Sequence, residues 1–247
     1  MILKNHTISS SSQIYQYDKK KKCQRKVQIK EICYKKYLYE LKNEDRIITN
    51  TENLIENILG TYERKWDTII QKIINNSNLY LEDEEVAYIY LLFIIQLLRV
   101  PSVINFTVEY FNATLKKDDQ EMKTAILSLF HLNNSYENNK PFIAVANLLC
   151  SKSLTVFRTD ETFILNGENP INVLSLCPNN LSSACFYFPI SSHVCLALLD
   201  NMNKERHRIK NINIEKKIVS YLNQLAYEKS ERFLYSSQPI KKFLHLK

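Results

Sequence analysis

Apolar residues form one long uninterrupted run near the middle of the chain. Residues 86–98 are apolar except for tyrosine hydroxyls and Gln96. A helix that is apolar on every side must be buried on every side, and this run is shorter than the roughly 20 apolar residues that span a bilayer. Acidic residues just before the run suit the positive end of a helix dipole, Arg99 suits the negative end, and Pro101 ends the helix. We therefore predict that residues 82–101 form the buried core helix of a domain.

Helical periodicity predicts further helices on both sides of the core helix. The first is amphipathic and carries Trp66 on its apolar stripe, so we expect this tryptophan in the core and not on a base-stacking surface. The asparagine-rich residues 133–139 are the clearest loop, and they are the candidate lobe boundary within a single α+β domain over residues 1–247. The predicted helices cover residues 49–75, 102–115, 118–132, 141–151 and 214–226.

Alternation of polar and apolar residues predicts strands near both ends of the chain. Gln13–Asp18, a lysine turn at residues 19–22 and a returning strand at residues 25–29 form a β-hairpin. Later strands are predicted at residues 154–157, 162–165, 184–188, 194–199 and 232–235. Strands at both ends around helices predict an α+β fold. In it, a helical central bundle surrounds the core helix, and the N-terminal hairpin and C-terminal strands share an antiparallel sheet.

Glycine is nearly absent, which excludes several common sites. The only glycines are Gly60 and Gly167. Walker A loops and dinucleotide-binding GxGxxG loops need several glycines close together, so that the backbone can approach phosphate. The GxSxG nucleophile elbow is absent for the same reason. We therefore predict no nucleotide cofactor.

The cysteines and histidines match no metal-binding pattern. The six cysteines lie mostly in apolar or strand-like surroundings, and residues 1–12 lack the apolar core of a signal peptide. We therefore expect reduced, mostly buried thiols in a cytoplasmic protein. The residues that would have to converge on a zinc ion have the wrong spacing, so we predict no metal. They are Cys177, Cys185, His193 and Cys195.

The net charge of +7 is unevenly distributed. Residues 1–42 contain 11 basic and 3 acidic residues, residues 43–139 contain 8 and 15, and residues 140–247 contain 14 and 8. If the two ends meet in space, they form one basic face that attracts nucleic acid or an acidic protein. A surface of solvated lysines without a partner is the alternative.

Two basic clusters are the candidate nucleic-acid contacts. Tyr15 and Tyr17 alternate with polar residues just before the first cluster, so a single strand could bind by charge together with stacking. Charge alone could also bind it. The candidate residues are Lys19, Lys20, Lys21, Lys22, Arg25, Lys26, Arg206, Arg208 and Lys210.

A polar turn at residues 166–170 is the candidate catalytic site. Side chains in a turn after a strand can leave the sheet edge and converge on a ligand. Glu168 is also a candidate carboxylate partner for Arg99 at the end of the core helix. The catalytic candidates are therefore Arg99, Glu168 and Asn169. An ordinary turn and a structural ion pair are the alternatives.

Known nuclease motifs do not support hydrolysis. A metal-dependent nuclease would need an (Asp/Glu)-x-Lys on a strand to hold a divalent ion beside the scissile phosphate. The sequence Glu215-Lys216-Lys217 has the matching letters, but it lies at a predicted helix start. Whether the protein is an enzyme therefore stays open.

Several segments, taken in order, resemble one family. They lie at Gln13–Asp18, 37–39, 52–63, 96–101, 166–170, 188–191, Asn223 and 231–236. Together they resemble a family of bacterial and phage proteins, the domain of unknown function 4238. Family members open with His-x-x-Pro before Tyr-Leu-x-x-Phe. Here Ile2-Leu3-Lys4-Asn5-His6 resembles the second motif and the first is missing. The family's Ser-Asp-Asn-Pro turn is replaced by Gly-Glu-Asn-Pro.

Three functions follow as hypotheses. The first is an intracellular phage, mobile-element or defence-associated protein that engages RNA or DNA through a basic face. The second is a non-catalytic interaction module or inhibitor, whose protein partner has an acidic or nucleic-acid-binding surface. The third is a small-molecule enzyme that uses the polar turn. The resemblance implies no known activity, and the two departures from the family favour a binding protein if the family's His and Asp are catalytic. We predict no membrane partner.

Overall fold

The computed structural model describes residues 5–7, 11–32, 54–76, 80–98, 140–167, 169–175, 183–200 and 209–243. The helices within these residues are α1 (Ile29–Ile32), α2 (Leu54–Asn75), α3 (Asp83–Leu98), α4 (Lys140–Cys150), α5 (Lys216–Lys229) and a 3₁₀ helix (Ile240–Lys242). The strands are β1 (Gln13–Asp18), β2 (Cys23–Gln28), β3 (Lys152–Arg158), β4 (Leu165–Asn166), β5 (Asn172–Leu174), β6 (Cys185–Pro189), β7 (Val194–Asp200), β8 (Lys210–Asn213) and β9 (Phe233–Ser236).

The smaller sheet joins the two ends of the chain. Its strand order is β2-β1-β9-β4, and neighbouring strands are antiparallel. On one side of β1, Asp18 is opposite Cys23 in β2. On its other side, Asp18 is opposite Phe233 in β9. The prediction that the N-terminal hairpin and a C-terminal strand share an antiparallel sheet is therefore confirmed.

The larger sheet has the strand order β5-β6-β7-β3-β8, in which only the β3–β8 pair is parallel. Side chains alternate between its two faces. Val156 and Leu196 belong to the core cluster that includes α2, α3 and α4, whereas Phe157 and Cys195 pack with residues of α5. The sheet therefore lies between three helices on one face and α5 on the other.

Helix α3 lies in the centre of the main core, as its apolar sequence predicts. Its fully buried residues include Phe93, whose ring meets Phe188 of β6 edge-on at 5.7 Å between centroids. Trp66 of α2 is also fully buried, and its ring nitrogen donates a 2.9 Å hydrogen bond to the Tyr88 carbonyl. The core position predicted for Trp66 is confirmed. The prediction that this helix is buried on every side is wrong for its first turns, because Ala87 is exposed.

Asn223 docks α5 onto the chain before β4. This buried side chain accepts a 2.9 Å hydrogen bond from the Ile164 amide and donates a 2.8 Å bond to the Thr162 carbonyl. The backbone at residues 162–164 thus bonds to the Asn223 side chain and to the Ser192 carbonyl, and not to a strand. The predicted strand at 162–165 is therefore limited to Leu165–Asn166.

Other boundaries differ from the predictions for local reasons. β5 and β8 were not predicted, because three or four residues are too few for a clear alternation. α5 begins at Lys216 and not at residue 214, because the Ile214 amide still bonds to the Arg158 carbonyl of β3 at 2.9 Å. The predicted helices at 102–115 and 118–132, with the loop and lobe boundary at 133–139, lie outside the described residues.

The described thiols are less buried than predicted. Of the described cysteines, which are Cys23, Cys150, Cys185 and Cys195, only Cys195 is fully buried. Cys23 is exposed because it lies in the edge strand β2, and Cys150 is exposed at the last residue of α4. None of the described helices is long and apolar enough to cross a membrane.

Candidate functional site

Asp18 holds the hairpin turn in place. One carboxylate oxygen accepts hydrogen bonds from the amides of Lys20 and Lys21, at 3.0 and 3.1 Å. The other accepts two 3.1 Å bonds from the Arg232 guanidinium, just before β9. Burial favours the neutral acid, but these backbone bonds and the Arg232 charge outweigh it and hold the pKa of Asp18 below its usual value. The turn is therefore tied to the C-terminal strand.

Lys19 faces into the protein. Its ammonium donates 2.6 Å hydrogen bonds to the Tyr227 and Ser230 carbonyls at the end of α5, and it lies 4.5 Å from the centre of the Tyr227 ring. The C-terminus of a helix favours a positive charge. Lys19 was predicted to contact nucleic acid, but its ammonium is already bonded within the protein. The lysines at 20–22 are exposed.

Lys22 occupies a backbone conformation that suits glycine. Its φ is 50°, the only positive φ among non-glycine residues that the described chain shows. A side chain in this left-handed region costs about 1 kcal/mol. The turn therefore keeps an exposed lysine where glycine would be more stable.

Three side chains form a row across β2, β1 and β9, which we name the Arg25 row. The Arg25 Nε donates a 3.0 Å hydrogen bond to the Gln16 amide oxygen. The Gln16 amide nitrogen in turn donates a 3.1 Å bond to the Tyr235 hydroxyl. Gln16 is 6% exposed and Tyr235 is 5% exposed, whereas Arg25 is at the surface. The row thus connects an exposed guanidinium to two buried side chains.

Gly167 packs directly against the Arg25 row. Its amide donates a 2.9 Å hydrogen bond to the Phe233 carbonyl, and a Cβ at this position would lie 2.6 Å from Cε2 of Tyr235. The polar turn and the basic hairpin, which the sequence presents as two separate candidates, therefore border the same sheet. Sequence reasoning missed Gln16, Tyr235 and Asp18, because their burial and pairing depend on strands that lie far apart in the chain.

The catalytic candidates are only partly covered by the structure. Arg99 and Glu168 lie outside the described residues, and so does their predicted ion pair. The Asn169 side-chain oxygen accepts a 3.0 Å hydrogen bond from the Ile171 amide. This is a normal Asx-turn contact, and it agrees with the alternative of an ordinary turn.

The C-terminal 3₁₀ helix adds two lysines beside the hairpin. Its first residue, Ile240, donates a 2.7 Å hydrogen bond from its amide to the Gln24 side chain of β2. Lys241 and Lys242 follow and are exposed. Because side chains alternate along β2, Gln24 and Lys26 lie on one side of the smaller sheet and Arg25 lies on the other. We use the name basic face for the exposed cations at this hairpin end of the sheet, on either side of it. Its residues are Lys20, Lys21, Lys22, Arg25, Lys26, Lys241 and Lys242.

Comparison with known families identifies the chain. The family described as "Protein of unknown function (DUF4238)" matches residues 1–239. The chain belongs to this family. No curated protein and no solved structure matches it. Three of the segments that resemble DUF4238 meet in the smaller sheet: Gln13–Asp18 is β1, Asn166 at the start of the third segment ends β4, and residues 231–236 include β9.

In this DUF4238 protein, Lys210 lies apart from the basic face. It begins β8, an edge strand of the larger sheet, and β8 leads into the start of α5. Lys19 binds the other end of α5, which is 14 residues long, or about 21 Å along its axis. The predicted contacts Arg206 and Arg208 lie outside the described residues.

Aromatic rings near the hairpin turn are largely covered. Tyr17, expected at an aromatic surface, is 3% exposed, so stacking on it is not available. The Arg232 guanidinium lies 4.6 Å from the Phe233 ring centre, and Lys26 lies 5.5 Å from that of Tyr15. Described rings around the turn thus already pair with cations of this chain.

His6 is fully buried beside Pro189, the last residue of β6. Its Nε2 donates a 3.2 Å hydrogen bond to the Pro189 carbonyl, and its Nδ1 has no hydrogen-bond partner among the described residues. Complete burial lowers its pKa to about 4, against the opposing effect of that hydrogen bond. Within the described residues, no group of three or more His, Cys, Asp or Glu could hold a metal ion.

Proposed function

We propose that this protein binds nucleic acid through the basic face and contacts phosphate groups without reading the bases. The observations that carry the proposal are the pairing of β1 with β9 and the hydrogen bond from Ile240 to Gln24, which together bring the C-terminal lysines beside the basic hairpin. The expected phage, mobile-element or defence setting stays a prediction.

The local charge supports the proposal. Residues 11–32 contain seven basic and two acidic residues, and residues 226–243 contain four and two. One of these acids, Asp18, is already bonded to Arg232. Charges interact over about 8 Å at physiological salt. Neighbouring lysines of the face therefore act together on a polyanion.

The covered aromatic rings favour phosphate contacts over base stacking. Stacking platforms for single strands need free aromatic faces, whereas those at the hairpin are buried or lie beside cations. Binding by charge depends on the density of phosphates and on salt. We therefore expect a duplex to bind more tightly than a single strand of the same length.

Two matched charge reversals test the proposal. Lys21 is exposed on the basic face and Lys217 is exposed on α5, away from it. Lys21→Glu and Lys217→Glu change the net charge equally. Fluorescence anisotropy would measure binding of labelled single-stranded RNA, single-stranded DNA and duplex DNA at low and high salt. We expect Lys21→Glu to weaken binding several-fold more than Lys217→Glu, and high salt to weaken the parent steeply.

Two results would count against the proposal. Equal losses in both variants would mean that net charge, and not the basic face, attracts the ligand. No binding by the parent at low salt would reject the nucleic-acid function. That second result would favour the alternative of an interaction module for an acidic protein surface.

A further inference from the structure

Arg25 differs from the lysines around it in chemistry. A guanidinium is a planar fork that can hold two phosphate oxygens at once, whereas an ammonium acts as a flexible point charge. Beside the exposed lysines of the hairpin turn, one oriented arginine would therefore set where a phosphate sits.

The Arg25 row orients this guanidinium. Its Nε is bound to Gln16, which is itself held by Tyr235, and both of these side chains are more than nine-tenths buried. The four N–H donors on the two Nη atoms are separate from that bond. Among the described residues, no carboxylate pairs with Arg25, whereas Arg232 on the same sheet is paired with Asp18.

The position of Arg25 suits joint binding with the turn lysines. Arg25 is opposite Gln16, and Cys23 is opposite Asp18 at the start of the turn. These two pairs are two residues apart, or about 7 Å along the strand. A nucleic-acid backbone held at the turn would thus pass close to the Arg25 guanidinium.

We infer that Arg25 grips a phosphate of the nucleic-acid backbone with its two Nη groups, and that Gln16 and Tyr235 are positioning residues for it. The inference rests on the proposed function and names the contact that fixes the ligand. A phosphodiester is its ligand class, because a planar fork with unpaired donors matches two phosphate oxygens.

Conservative substitutions separate geometry from charge. Arg25→Lys keeps the charge and loses the fork, and Arg64→Lys makes the same change at an exposed position of α2. With a labelled DNA duplex, we expect Arg25→Lys to lower affinity about tenfold with an unchanged salt slope, because the number of charges is the same. Arg25→Ala should reduce the slope by about one. Arg64→Lys should bind like the parent.

A neighbouring substitution tests the positioning. Gln16→Met keeps the shape and the net charge but removes both hydrogen bonds of the row. We expect it to weaken duplex binding several-fold with the same salt slope as the parent. Thermal melting of each variant would show whether it stays folded. If Gln16→Met has a lowered melting temperature, the duplex affinity of Arg25→Lys still tests the inference, because Arg25 is exposed and its substitution should leave the fold intact.

The outcomes distinguish this inference from the proposed function. If Lys21→Glu weakens binding and Arg25→Lys does not, the basic face binds nucleic acid and the inference is wrong. If Arg25→Lys lowers the melting temperature but keeps the affinity, Arg25 only braces the sheet and the inference is also wrong. If the parent binds no duplex, the proposed function fails first.

Discussion

The backbone of Gly167 lies directly against the ring of Tyr235. A Cβ on Gly167 would come within 2.6 Å of Cε2 of Tyr235 and 3.0 Å of the Phe233 carbonyl oxygen. Tyr235 is 5% exposed and its hydroxyl accepts the hydrogen bond of Gln16, so the ring has little freedom to move away. The polar turn and the Arg25 row are therefore in direct contact at Gly167, where the side chain of any larger residue would clash with Tyr235.

Gly167→Ala should destabilise the protein. The added methyl group must displace a buried ring or the backbone of β9, and overpacking of this kind costs about 1–3 kcal/mol. Gly60→Ala is the matched control, because a Cβ at Gly60 meets nothing within 4 Å. In α2 it should stabilise by up to about 1 kcal/mol. Urea denaturation would measure both, and equal effects would contradict the contact with Tyr235.

Substitutions of the neighbouring residues Lys19 and Lys20 should affect different properties: the first should lower stability and the second should weaken nucleic-acid binding. Lys19→Met removes two hydrogen bonds and a positive charge at the end of α5, so we expect a loss of about 1–2 kcal/mol. Lys20→Met, at an exposed position of the same turn, should leave stability nearly unchanged and weaken nucleic-acid binding. Denaturation and anisotropy on both variants are the measurement. The prediction fails if the two substitutions shift stability alike.

His6 should make the protein sensitive to acid. The unfolded chain takes up a proton near the ordinary pKa of 6.5, whereas folded His6 resists protonation down to about 4. The unfolded state thus binds more protons between these values, so stability is full above pH 6.5 and falls as the pH drops towards 4. A difference of this size corresponds to about 3 kcal/mol. Unfolding free energies measured from pH 7.5 to 3.5 would show the loss.

Two substitutions of His6 test its role in this pH dependence. His6→Phe replaces the imidazole with an apolar ring, and His6→Gln keeps a donor for the Pro189 carbonyl. Neither side chain titrates, so both should flatten the curve between pH 6.5 and 4. A curve as steep as that of the parent would assign the acid sensitivity to other groups.

Lys22→Gly should stabilise the fold and weaken binding. Glycine adopts φ of 50° without the steric penalty that lysine meets, so we expect a gain of up to about 1 kcal/mol. Loss of an ammonium from the basic face should reduce the affinity for nucleic acid and its salt slope. Lys21→Gly is the control, because Lys21 does not have a positive φ. A stabilised Lys22→Gly that binds normally would remove Lys22 from the interface.

The local pattern of polar and apolar residues was sufficient to predict much of the architecture. The alternation in Gln13–Asp18, the lysine turn and the final strand predicted a sheet that joins the two ends, and the apolar run predicted the core helix α3. These features depend on which face of an element is apolar, and that information is local. The positive charge of the hairpin could also be read from the sequence, because its basic residues lie within one short stretch.

The candidate site depended on register between distant segments. No local pattern reveals that Gln16 is opposite both Arg25 and Tyr235, that Lys19 reaches the end of α5, or that Gly167 touches the Tyr235 ring. A shift of one residue in strand pairing would send each of these side chains to the other face of the sheet. Composition and periodicity therefore specified the elements and their charge. The pairing of β1 with β9 specified which basic residues are available to a ligand, because contacts across more than 200 residues are set by packing of the whole chain.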